Sequence, residues 1–86
     1  MGAGPLNVKA YTLSTCSYCM RFKKFMKAHD RDFDYVDVDL LAGTEREAVR
    51  RETESICSGC GYPIILVGDT LIRGFDEARL REVLEL

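Results

Sequence analysis

No stretch of this sequence approaches the roughly 20 consecutive apolar residues that a membrane-spanning helix requires, which excludes a helical span. An excess of positive charge is missing too. Twelve Lys and Arg stand against fourteen Asp and Glu, and a net charge of -2 leaves no electrostatic footprint for nucleic acid. Met1 to Pro5 lacks the charged and apolar parts of a signal peptide, and Leu6 stands where a myristoylation pattern would want Ser or Thr, so a cytoplasmic address is expected. No internal repeat, linker or low-complexity segment interrupts the chain, so residues 1–86 are expected to form one domain, and a monomer is expected. Histidine occurs once, at His29 near the end of a helix-like stretch, where it suits the negative end of the helix dipole better than a catalytic or metal-binding role.

The composition is otherwise globular, 47% hydrophobic and 30% charged, with room for one modest core. Its four cysteines all fall in C-x-x-C pairs, a pattern that fits catalytic or metal-binding thiols in a reducing compartment better than a scaffold of permanent disulfides. Cys16-Ser17-Tyr18-Cys19 follows a strand-like apolar run and opens a helix-like stretch. The first turn of a helix presents unpaired N–H groups and the positive end of the dipole, which favour thiolate at Cys16. That alone is not enough. A thiol of pKa about 8.5 is only roughly 3% ionised at neutral pH, and a helix terminus worth about 0.3 to 1 kcal/mol shifts it by less than one unit. Further donors are therefore expected: the S–H of Cys19, with positive potential from Arg21 and Lys23. Arg21, Lys23, Lys24 and Lys27 form a basic cluster on this helix, read as a solvated face rather than a docking patch for an acidic partner.

Hydrophobic periodicity predicts the order of elements. A strand over about Leu6 to Leu13 precedes a helix from Ser17 to about His29, whose Cys19, Phe22, Phe25, Met26 and His29 share one face. Phe33 to Val38 alternates apolar and acidic residues as a strand does, and should run parallel to the first. Thr44 and Glu47 have capping-box spacing, predicting a helix from Thr44 to about Thr53. Ser55 to Tyr62 reads as a loop, Pro63 to Val67 as a buried strand, and Thr70 to Arg73 as its hairpin partner across Gly68-Asp69. Asp76 opens a last helix with Leu80, Val83 and Leu84 on one face. The order is β-α-β-α-β-β-α.

That order, with the thiol pair placed at the first strand-to-helix turn, resembles the thioredoxin fold and more narrowly the glutaredoxin family. Cys16-Ser17-Tyr18-Cys19 is similar to the family's Cys-Pro-Tyr-Cys, and Cys19-Met20-Arg21-Phe22-Lys23 continues it as family members do. Tyr62-Pro63 resembles the Val-Pro that opens the third strand, and Ile72-Arg73-Gly74-Phe75-Asp76 resembles Ile-Gly-Gly-x-Asp. The resemblance spans Val8 to Leu84. It implies an α/β fold with a four-stranded mixed sheet flanked by three helices. It also implies a thiol-disulfide oxidoreductase in which Cys16 attacks and Cys19 resolves, reducing protein disulfides or glutathionylated proteins, with glutathione as co-substrate. Pro63 should be cis beside the thiols, with the Tyr62 backbone, Tyr18, Gly74 and Asp76 binding substrate. Asp76 would serve both as helix N-cap and as a contact for the γ-glutamyl end of glutathione.

Three positions depart from the family pattern. Leu13 stands where family members commonly carry Lys, Arg73 replaces the first Gly of Gly-Gly, and Ser17 replaces Pro. A redoxin recharged by thioredoxin reductase and donating electrons to ribonucleotide reductase is the nearest rival reading. The second pair, Cys57-Ser58-Gly59-Cys60, is not a usual family feature, and three readings stay open for it. It is an accessory pair, a candidate ligand set with the first pair for zinc or an iron-sulfur cluster, or a relay exchanging with Cys16-Cys19.

Overall fold

A computed structural model describes residues 7–86; the expectations for Met1 to Leu6 lie outside the described residues. Strand β1 (Val8–Thr12) leads into helix α1 (Ser17–Ala28), and strand β2 (Asp34–Asp37) into a 3-10 turn (Val38–Leu40) and helix α2 (Gly43–Ile56). Strands β3 (Ile64–Val67) and β4 (Thr70–Arg73) then form a hairpin before helix α3 (Glu77–Leu84). The sheet order is β2-β1-β3-β4, with β1 parallel to β2 and antiparallel to β3, and β3 antiparallel to β4. This is the four-stranded mixed sheet with three helices that the resemblance implied.

Register decides where the loops converge. Thr12 lies opposite Asp37, Tyr11 opposite Ile64, and Ile64 opposite Arg73. The chain leaving β1, the chain leaving β2, the chain entering β3 and the chain leaving β4 therefore meet at one edge of the sheet. The Cys16 turn, Asp39, Pro63 and Gly74 are neighbours for that reason.

Alternation along the strands gives the sheet two apolar faces. Val8, Ala10, Ile65, Val67 and Ile72 pack with Phe22, Phe25 and Met26 of α1 and with Leu80 and Leu84 of α3. Tyr11, Val38 and Ile64 form the opposite cluster, against which Val49 and Ile56 of α2 pack. Phe22 is completely buried, and its truncation to Ala would cost about 3 to 5 kcal/mol. Tyr11 is equally buried, and burial first, then a hydrogen bond and a charge from Glu52, push its hydroxyl well above the ordinary tyrosine range.

Helix α1 presents Cys19, Phe22, Phe25 and Met26 inward, as their spacing predicts. His29 is its C-cap, and the imidazole packs on the Phe25 ring at 4.5 Å between centroids. The helix closes with Asp30 in the left-handed region (φ 56). Asp30 N–H donates to Lys27 O at 3.0 Å and Arg31 N–H to Met26 O at 2.9 Å, a Schellman end with Asp where Gly is usual.

Two expectations are corrected. Helix α2 starts at Gly43, not Thr44, and no side chain caps it: the chain enters through Gly43 at φ 61, so Thr44 lies within the first turn and the capping box does not form. The same helix continues through Ser55 to Ile56 instead of ending near Thr53, because Ile56 packs on the second apolar cluster. The 3-10 turn after β2 also has no counterpart in the sequence reading; it buries Val38 and brings Asp39 to the site. Among the described residues, no helix is long and apolar enough to cross a membrane.

Candidate active site

Cys16 is the N-cap of α1, with extended backbone (φ -84, ψ 123). Its N–H donates to Leu13 O at 3.2 Å and its carbonyl accepts from Met20 N–H at 3.0 Å, so the turn is held from both sides. Its sulfur stands where the side-chain oxygen of Ser or Asp stands in an ordinary N-cap, and it accepts the Cys19 N–H at 3.3 Å. Cys16 is partly exposed and Cys19 fully buried, and both are free thiols.

Geometry makes the two thiols unequal. Partial burial tends to raise the Cys16 pKa, but the S–H of Cys19 and the N–H groups of Cys19 and Tyr18 stabilise the thiolate, and the net shift is downward. For Cys19, desolvation comes first and the bond and charge of Cys16 add to it; Leu13 N–H and Lys23 pull the other way. The outcome is a thiol pushed up to about 12. The extra donors expected for Cys16 are thus the Cys19 side chain and two backbone amides. The positive potential expected from Arg21 and Lys23 is not among the causes acting on Cys16. Lys23 instead acts on Cys19 and pairs with Asp37, while Arg21 lies over the Tyr18 ring at 5.5 Å. The basic face is therefore only partly solvated.

The Tyr62-Pro63 peptide is cis, as the resemblance implied, and the Tyr62 carbonyl oxygen lies 4.0 Å from the Cys16 sulfur. Pro63 O accepts the Gly74 N–H at 2.8 Å, joining the end of β4 to the same bend. Gly74 adopts φ 76, which an L side chain rarely tolerates. A cleft of about 620 Å³ lies alongside, lined by Tyr18, Tyr62, Arg73, Gly74 and Phe75 on one part and by the Ser58 to Gly61 loop on the other. Tyr18 is exposed at the helix start, as expected. Asp76 caps α3, accepting the Arg79 N–H at 3.0 Å, but it does not line the cleft. Ser14 anchors the base of the turn: its N–H and hydroxyl donate to Asp39 at 2.8 and 2.5 Å, which lowers the Asp39 pKa. Nothing in the sequence pattern linked these two residues.

The family model for glutaredoxin matches residues 8–72. This chain belongs to the glutaredoxin family. It is 31% identical over 78 residues to an uncharacterised glutaredoxin-like 8.6 kDa protein of the rubredoxin operon of Clostridium pasteurianum, covering 91% of this chain and 97% of that one. The solved glutaredoxin of Archaeoglobus fulgidus shares 34% identity at a TM-score of 0.85, over 96% of this chain and 90% of that one. Methanoredoxin of Methanosarcina acetivorans shares 31% at 0.88, over 95% and 87%. The protein is a glutaredoxin-like redox protein of the thioredoxin fold.

The second C-x-x-C pair departs from that family pattern. Cys57 and Cys60 are bonded to each other, Cys57 capping the C-terminus of α2 through its N–H to Thr53 O at 2.8 Å and Cys60 lining the cleft. Sulfurs joined to each other are not thiolate ligands. Among the described residues, no group of three or more His, Cys, Asp or Glu could hold a metal ion. The donor set for zinc or an iron-sulfur cluster that two C-x-x-C pairs suggested therefore does not assemble in this state.

Proposed function

We propose that the protein is a glutathione-dependent dithiol oxidoreductase, acting as one domain over residues 1–86 and as a cytoplasmic monomer, that reduces protein disulfides or glutathionylated proteins. The observation that carries this reading is the inequality of the two thiols: Cys16 exposed enough to react and shifted toward thiolate, Cys19 buried and held protonated.

Cys16 thiolate attacks one sulfur of the substrate disulfide, forming a mixed disulfide as the other sulfur leaves as thiolate. Once Cys16 is bonded, its charge and its hydrogen bond to Cys19 are gone, and these are two of the causes that hold Cys19 protonated. Leu13 N–H at 3.4 Å and Lys23 remain to stabilise a Cys19 thiolate. Cys19 then attacks Cys16, releasing the second substrate thiol and leaving the Cys16–Cys19 disulfide. Two glutathione molecules restore the dithiol through a glutathionyl-Cys16 intermediate and leave as glutathione disulfide. Tyr62, Pro63 and Gly74 supply backbone beside the reacting sulfur, and exposed Tyr18 flanks it.

Turnover coupled to glutathione and glutathione reductase tests the reading. Cys16→Ser is expected to abolish it, and Cys19→Ser to keep reaction with glutathionylated substrates while losing protein-disulfide reduction. Full activity of Cys16→Ser would refute it. Leu13, apolar where the family commonly places Lys, favours a second reading in which thioredoxin reductase recharges the protein for a target such as ribonucleotide reductase. Turnover with that reductase and none with glutathione would select it.

A further inference from the structure

The cleft beside Cys16 carries one charge. Its walls are polar, aromatic, sulfur-bearing or bare glycine, and Arg73 is the only ionised side chain among the residues that line it. Register puts it there. Arg73 lies directly opposite Ile64, the residue after Pro63, and the Gly74 N–H that follows it is bonded to Pro63 O at 2.8 Å. Along β4, Ile72 turns into the core, so Arg73 projects from the other face and is exposed.

Arg73 has no protein partner among the described residues: it enters no ion pair. Three of the four acids that follow it in the chain are already engaged, and the fourth, Glu85, lies beyond the end of α3 and does not pair with it. Asp76 accepts from Arg79 N–H at 3.0 Å, Glu77 pairs with Arg81 at 3.0 Å, and Glu82 pairs with Arg79 at 2.6 Å. A guanidinium presents up to five donors in a planar fork suited to carboxylates, and here that fork is left to whatever enters the cleft.

We infer that Arg73 is a specificity-determining residue that selects thiols and disulfides bearing a carboxylate or similar anion for reaction at Cys16. The selection comes from the β4 wall, while the Leu13 side chain offers no charge. The inference rests on the reading of Cys16 as nucleophile, and it names the class of substrate that nucleophile meets.

The test is a pair of rates measured by stopped flow on the dithiol protein with Cys57–Cys60 oxidised. One probe is the dianionic disulfide dithiobis-nitrobenzoate, the other the neutral disulfide dithiodipyridine. Their ratio cancels any change in Cys16 ionisation and isolates recognition of the anion. Arg73→Gln is expected to lower the anionic-to-neutral ratio about fivefold, the upper end for an exposed charge pair. Arg73→Glu should lower it further, Arg73→Lys should recover most of it, and added salt should erase the wild-type preference. An unaltered ratio in Arg73→Gln and Arg73→Glu, with Cys16 still reacting, would overturn this inference and leave the proposed function standing. Equal rates for Cys16→Ser and wild type would instead remove Cys16 as nucleophile, and both readings with it.

Discussion

Lys23 Nζ lies 3.0 and 3.3 Å from the two carboxylate oxygens of Asp37, tying α1 to the end of β2. Thr12 Oγ1, completely buried, donates to the same carboxylate at 2.5 Å, and the Lys23 ammonium sits 4.1 Å from the centre of the Tyr35 ring. Both members of the pair are mostly buried, with side-chain exposures of 20% and 14%. Asp37→Ala leaves a shielded ammonium without its carboxylate, while the Thr12 hydroxyl keeps Val36 O at 3.2 Å as an acceptor, and is expected to cost roughly 2 to 3 kcal/mol. Urea denaturation of the two single variants and of Asp37→Ala/Lys23→Met should show a double variant less damaged than the sum of the singles.

The unequal thiols predict a stability maximum in alkaline solution for the dithiol form. The folded pKa of Cys16 is depressed, so its contribution is present above the unfolded thiol pKa of about 8.5 and is lost as pH falls through the folded value. The folded pKa of Cys19 is raised to about 12, so its contribution is present below the unfolded value and is lost as pH rises toward 12. Tyr11 adds to the alkaline loss from about pH 10 upward. Thermal unfolding followed across pH should peak near pH 8.5, and Cys19→Ala should raise the Cys16 pKa read from thiolate absorbance, because Cys19 S–H is the foremost stabiliser of that thiolate.

Asp76 permits capping and ligand binding to be separated. Asp76→Ala removes the acceptor for Arg79 N–H and is expected to cost about 1 kcal/mol in chemical denaturation. Asp76→Asn keeps a capping oxygen and should retain nearly all the stability. If the carboxylate charge also holds glutathione, Asp76→Asn will raise the KM for glutathione while unfolding like the wild type.

Titration of the native protein should find two free thiols, and four after full reduction. Closing the short loop between Cys57 and Cys60 restricts the unfolded chain by about 2 kcal/mol on the loop-entropy relation, so Cys57→Ser/Cys60→Ser should lose stability of that order. Removal of the pair should leave the Cys16 pKa shift in place, since the groups that cause it lie in Cys19 and Tyr18.

Most of the fold was legible because it is written in local periodicity. The 3.6-residue spacing of Cys19, Phe22 and Met26 marks α1, and the run from Ile64 to Val67 marks a strand covered on both sides. The thiol turn was legible for the same reason, since strand, cysteine and helix are consecutive. What escaped depends on contacts between distant segments. Ser14 and Asp39 are 25 positions apart, and Lys23 and Asp37 are 14 apart. Neither pair follows any spacing rule. The Cys57–Cys60 bond was open from spacing because a C-x-x-C segment can serve a disulfide, a metal or a relay. Arg73 was visible as a departure from the family pattern, but only the register against Ile64 brings it into the cleft.

Leu13 acts on the thiols solely through its main chain, its carbonyl accepting from Cys16 and its N–H donating to Cys19. Its side chain packs at the margin of the second apolar cluster and has no part in either bond. Support of the two cysteines and apolar packing are thereby carried by separate atoms of one residue. A different side chain at position 13 would leave both main-chain bonds to the cysteines in place.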